Sequence, residues 1–387
     1  MRSIVRLLAF VVGLTVFCSA AEPIKVGVVM GLTGPWASID EPAWKGIQLA
    51  VDKINASGGL LGRPVTAVCI DTKADEAETV AAVTRLVEQE KVVAILGYCD
   101  THWVLTGAPI ATEHGIPFIT PGATHPRIPE RTGAWLACFG DNTQAAAMAE
   151  YAYKVLGLRK AAVWIDSACD FCVAVSAYFE DAWKHLGGEV VYEDFFETSW
   201  TDFSPLVARL KTYQDAGSVD CVYISAIPGN VGLIAKQVRE GGVLLPILGE
   251  DGYDTPLLPQ VAGVYAEGVL FTTHVSLDSP NPKVQEFVAA YTKKFGCRPE
   301  NAFAALGYDA MMLLAEAINI VKSANPKDIE KGLSQIKDFP GVTGTISYPA
   351  GTKVPAKAVS VLIVLGGKFR TLAAIVPEYV PAPELAK

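Results

Sequence analysis

The chain has 387 residues, enough for two domains with a sizeable core in each. Hydrophobic residues make up 51% and charged residues 19%, a composition that excludes a disordered or highly charged tail protein. With 32 Lys and Arg against 41 Asp and Glu, the formal charge is -9, which argues against a phosphate-tracking surface and so against nucleic acid as a partner.

Arg2 and Arg6 precede an apolar run, Leu7–Phe17, which ends in Ser19-Ala20-Ala21. A basic start, a short apolar middle and a small-residue exit predict a secretory leader over residues 1–21, too short for a membrane span. Bulky Phe17 before Cys18 speaks against lipid attachment. Export places the seven remaining cysteines in an oxidising compartment, where a Cys69–Cys99 bridge is plausible and at least one thiol stays unpaired in a monomer.

From there strands and helices alternate. Ile24–Met30 reads as a strand. Trp44, Ile47, Val51 and Ile54 recur at helical spacing and read as core. Strands follow at Val65–Ile70, Val92–Gly97 and Ile116–Thr120, with helices over 75–87 and from about Thr101. The pattern restarts after residue 140, with strands Ala161–Ile165, Val190–Phe196, Cys221–Ser225, Ile247–Gly249 and Gly268–His274. Helices are expected at Val173–Leu186, Phe203–Tyr213, Val231–Glu240 and, later, near 283–295, 303–322 and 326–336. Three strand-like segments end the chain: Thr345–Tyr348, Val359–Leu365 and Arg370–Ile375. Such repetition predicts α/β architecture in two doubly wound, Rossmann-like units with a cleft between them. Ligands of open parallel sheets bind beyond the carboxyl ends of the strands.

The strand ends carry Gly31-Leu32-Thr33-Gly34-Pro35-Trp36, Cys99-Asp100-Thr101-His102-Trp103 and Thr120-Pro121-Gly122-Ala123-Thr124 in the first unit. In the second they carry Cys169-Asp170-Phe171-Cys172, Ile227-Pro228-Gly229-Asn230 and Gly249-Glu250-Asp251-Gly252. Together with Ile54-Asn55-Ala56-Ser57-Gly58-Gly59, Thr201-Asp202-Phe203-Ser204-Pro205-Leu206 and Gly341–Tyr348, their order and spacing resemble the branched-chain amino-acid (leucine/isoleucine/valine-binding) family of solute-binding proteins of ABC importers. The likeness spans essentially the whole mature chain. It implies a type I periplasmic binding fold with three hinge segments. One lobe would be 22–140 plus about 275–345, the other 141–274 plus about 346–380. It further implies an exported, periplasmic monomer that traps a small carboxylate-bearing ligand and hands it to a membrane permease, with no cofactor, metal or catalytic residue.

In that family the ligand carboxylate is held at the start of the helix after the third strand, here Thr101 with His102 beside it, and by the turn Gly122-Ala123-Thr124. An acidic residue of the second lobe, matched by Asp251, pairs with the ammonium. Phe171 matches an aromatic that closes over the ligand, without the usual hydroxyl, and Ile227 stands where a second aromatic is common. Trp36, Ile39 and Trp103 are the candidates for the side-chain pocket. Independently of any family, a helix start offers unpaired N–H groups to an anion. Trp36, Trp103 and Phe171 would also suit a flat aromatic acid. Cys169-x-x-Cys172 follows a strand and opens a helix, the placement of a redox dithiol, although a local disulfide or two inert thiols fits this context better. A ligand-sensing subunit of a regulator is a further alternative. Motifs of common enzymes (G-x-S-x-G, Walker A, G-x-G-x-x-G, H-E-x-x-H) do not occur.

Overall fold

A computed structural model describes residues 22–386. The leader expected over 1–21, including Cys18, lies outside these residues. The first sheet holds β1 (Ile24–Met30), β2 (Val65–Asp71), β3 (Ile95–Gly97), β4 (Phe118–Thr120) and β5 (Trp135–Leu136), in the spatial order β2-β1-β3-β4-β5. Every pairing in it is parallel. The second sheet has the order β14-β13-β10-β9-β8-β6-β7. It is formed by β6 (Lys160–Asp166), β7 (Glu189–Phe196), β8 (Cys221–Ser225), β9 (Ile247–Gly249), β10 (Leu270–Thr273), β13 (Val359–Leu365) and β14 (Lys368–Ile375). Its body is parallel, and β13 and β14 add an antiparallel edge. The hairpin β11 (Phe339–Gly341) and β12 (Gly344–Ile346) stands apart.

Helices cover both faces of each sheet, as parallel strands require. The first lobe takes α1 (Ala37–Ala56), α2 (Glu76–Arg85), α3 (Thr101–Glu113) and α4 (Ile128–Thr132) from the early chain. The second takes α5 (Asp141–Glu150), α6 (Asp170–His185), α7 (Ser204–Asp215), α8 (Pro228–Glu240) and α9 (Leu257–Ala262). Then α10 (Pro282–Phe295), α11 (Ala302–Val321) and α12 (Pro326–Leu333) return to the first lobe. Helix α11 is long and apolar enough to span a membrane, but it is mostly buried in this core. Its main neighbour is α1, and the approach is close at Gly46 and Gly307. The chain passes between the two cores near Phe139, near His274 and between Tyr348 and Val359.

The Cys69–Cys99 bridge is corrected: all seven cysteines of the described residues are free thiols. Cys69 lies on β2 and Cys99 follows β3, with β1 between them. Two strand spacings, roughly 9.5 Å, exceed the Cα separation that a disulfide spans.

Candidate functional site

The strand ends of the first lobe are tied together by one buried acid. Asp40, on α1, accepts from Gly31 N–H at 2.7 Å and from Cys99 N–H at 2.9 Å, joining the loops after β1 and β3. Burial pushes its carboxyl up to about 6. Thr120 binds the next loop: its hydroxyl donates to Tyr98 O and accepts from Ala123 N–H. Gly122 is required by packing, because a Cβ there would lie 2.8 Å from the Phe303 ring and 3.1 Å from Cys99 Cβ.

Between the lobes these loops line a narrow space. Its first-lobe wall comes from Trp36, Ile39, Thr101, Thr124 and Phe303, its second-lobe wall from Phe171, Pro228, Asp251 and Gly252. The space lies beyond the carboxyl ends of β1, β3 and β4 on one side and of β6, β8 and β9 on the other. Thus Trp36, Ile39, Thr101, Thr124, Phe171 and Asp251 come together as one lining.

The remaining sequence candidates sit elsewhere. His102 is half exposed at the cleft mouth, 3.4 Å from Glu76 and 3.8 Å from Asp170 across the lobes. Trp103 makes a T-shaped contact with the His102 ring and packs on the first-lobe core. Gly122 and Ala123 form the buried backbone behind Thr124. Ile227 is buried in the second-lobe core at the start of α8, and its neighbour Pro228 reaches the cavity instead. Phe303 had no local signal, since it lies far along the chain at the start of a helix that reads as plain core.

The two ends of the cavity differ chemically. At one end is the start of α3, capped by Asp100, which accepts from His102 N–H at 3.0 Å. The Thr101 hydroxyl is buried there without a partner. At the other end is Asp251. Gln144 Nε2 donates to one of its carboxylate oxygens at 2.8 Å, and His274 Nε2 lies 2.9 Å from the other. Gln144 is itself fixed by Asp251 N–H and by the Thr272 hydroxyl, both of which donate to its Oε1. His274 stacks on Phe139, with 4.0 Å between ring centroids, and meets Phe303 edge-on. Burial lowers the His274 pKa and keeps the ring neutral. A neutral ring donating from Nε2 leaves only an acceptor, Nδ1, unpartnered; a protonated ring would bury an unpaired donor. The contact is therefore a hydrogen bond from the neutral His274 ring to Asp251. Each carboxylate oxygen retains acceptor capacity toward the cavity.

Among the described residues, no Lys, Arg or His lines the cavity. Buried acids surround it instead: burial drives Asp141 and Glu250 well above the carboxylate range, and Asp100 up to about 7. A folded value above the unfolded one means that the folded chain binds more protons between about pH 4 and pH 7. Stability from this group is therefore full at the acid end and declines as pH rises toward 7. Asp100→Asn keeps a helix cap and removes the buried charge. It is expected to stabilise the protein by on the order of 1–3 kcal/mol at pH 8 and by almost nothing at pH 4, as thermal unfolding across that range will show.

This architecture has close counterparts. The leucine-binding protein LivK of Thermotoga maritima is 34% identical, with a TM-score of 0.84 over 92% of this chain and 99% of that one. LivJ of Streptococcus pneumoniae, solved in complex with isoleucine, is 29% identical with a TM-score of 0.85, covering 92% of this chain and all of the other. A solute-binding protein of an ABC transporter from Rhodopseudomonas palustris, in complex with 3,4-dihydroxybenzoic acid, is 26% identical with a TM-score of 0.82, covering 93% and 99%. The family profile described as periplasmic binding protein matches residues 23–368, nearly the whole described chain, and the chain belongs to that family.

Proposed function

We propose that this chain is the substrate-binding component of an ABC importer, and that it captures a small hydrophobic amino acid in the cleft and delivers it to a membrane permease from the periplasm. The observation that carries this reading is the pairing of unlike ends across one interlobe space. Thr101, at the start of α3, lines it from one lobe, and Asp251 lines it from the other. A carboxylate suits the first end through hydroxyl and N–H donors. An ammonium suits the second, because a buried carboxylate gains most from a cation that it can hydrogen-bond. Between them Ile39, Trp36, Phe171 and Phe303 offer an apolar wall to a side chain. Contacts made to both lobes at once favour the closed arrangement, and that shape is what a permease reads.

An aromatic carboxylate without an amine is the second reading, favoured by the three aromatic rings in the lining. It leaves Asp251 facing the cavity without a cation. A thermal-shift panel of leucine, isoleucine, 4-methylpentanoate, benzoate and 3,4-dihydroxybenzoate separates the two. A ligand at a hundred times its dissociation constant adds about 2.7 kcal/mol to stability. Stabilisation by the amino acids alone supports the proposal, and stabilisation by the aromatic acids alone overturns it.

Thr101→Val gives a finer test. The substitution keeps shape and removes an unpartnered buried hydroxyl, so the free protein loses nothing in stability. Affinity for the ligand carboxylate is expected to fall by roughly tenfold, the worth of one hydrogen bond to a charged group, in calorimetric titration.

A further inference from the structure

The Cys169-x-x-Cys172 pair is not used by the binding site as described, yet it frames part of it. Cys169 is the cap residue of α6, and its sulfur accepts from Cys172 N–H at 3.4 Å. Residues at a helix cap and three positions on lie within the Cα separation that a disulfide spans, so bridging them asks little of the backbone. The two residues between them are the ones that α6 sends to the cleft. Phe171 lines the cavity, and Asp170 faces His102 across the lobes. The far end of the turn is anchored, because the Ser225 hydroxyl on β8 donates to Cys172 O at 2.9 Å.

We propose that Cys169 and Cys172 are a reversible modification site, closing to a disulfide that stiffens the turn carrying Phe171 and Asp170. The oxidant is an organic or protein disulfide. The Cys169 thiolate attacks it, forming a mixed disulfide and releasing one donor thiol. The Cys172 thiolate then attacks the Cys169 sulfur and releases the second donor thiol. Two protein thiols and one donor disulfide thus become one protein disulfide and two donor thiols, with no other reactant. In the closed arrangement both sulfurs are buried, and Trp36 of the first lobe packs on the cluster that holds them. Burial drives the Cys172 thiol well above its ordinary value. Exchange therefore proceeds when the lobes part, and a ligand that holds them together slows it. Only this last expectation rests on the proposed binding function.

The full chain is treated with oxidised glutathione at pH 8 and mapped by peptide mass. Backbone hydrogen exchange over 168–175 is then compared with that of the reduced protein, without any ligand. The expected result is a Cys169–Cys172 bond and about three- to tenfold slower exchange in that turn, reversed by a dithiol reductant. Cys169→Ser keeps the cap through its hydroxyl and is expected to show the same exchange under both conditions. Absence of the bond, a bond between other cysteines such as Cys99 and Cys138, or a bond with unchanged exchange overturns the proposal. With leucine or isoleucine present, whichever binds, bond formation is expected to slow. If neither binds while the bond forms and exchange slows, the ligand assignment fails and the modification site stands.

Discussion

Asp251→Asn is expected to weaken binding of an amino acid by about 2–4 kcal/mol, or ~30- to 1000-fold, in calorimetric titration. The size follows from the setting. The carboxylate is almost fully buried, and among the described residues no Lys, Arg or His in the lining competes for it. An amide of the same shape keeps the contact with Gln144 but offers half the acceptors and no charge. It also reverses the demand on His274, whose Nε2 must then accept, leaving an N–H at Nδ1 with no partner. The informative measurement is a ratio. Leucine is expected to lose affinity and 4-methylpentanoate, which lacks the amine, to lose little. Equal losses would show that Asp251 acts on the cleft as a whole and not on the ammonium.

Gly46→Ala and Gly307→Ala are each expected to destabilise the protein by about 2–4 kcal/mol in urea or thermal unfolding, beyond the usual cost of an extra methyl group in a core. A Cβ at Gly46 would lie 1.9 Å from Ala304 O, and one at Gly307 the same distance from Ala43 O. Both obstacles are backbone atoms, which no rotamer change can move aside, so α1 and α11 must separate. Alanine's better helix propensity returns only about 1 kcal/mol. Gly229→Ala in α8 is the matched control. Its Cβ would meet nothing nearer than 3.9 Å, and the substitution is expected to be neutral or mildly stabilising. Because α11 begins with Ala302, held by Asp254 of the other lobe, and Phe303, a lining residue, a shifted α11 is also expected to lower ligand affinity.

The strands were the most legible part of this sequence. Cys221–Ser225 and Ile247–Gly249 have the bounds that their apolar runs suggest, since buried parallel strands are written as continuous hydrophobic segments. The two-residue β5 and the alanine-rich α5 carried no comparable signal: α5 is buried nearly all round, so its pattern has no polar face. At the site, six candidates share one cavity because they sit at strand ends, which topology alone places together. His102, Trp103 and Ile227 lie next to lining residues in sequence but point elsewhere, and spacing cannot tell a helix's cavity side from its outer side within its first turn. Gln144, His274 and Phe303 escaped notice for another reason. Each acts from a different segment, and their relation to Asp251 exists only in three dimensions.

The return of α10–α12 to the first lobe also bears on how the chain is born. The groove on α1 that receives α11 is filled by residues made only after the parallel body of the second sheet, β6 to β10, has been synthesised. Until then the amino-terminal strands have an uncovered face and no complete interior. A loop of that size closes late and slowly. A nascent molecule of this design stays loose while it is being made, which is the condition in which a polypeptide can still be threaded through a translocation pore.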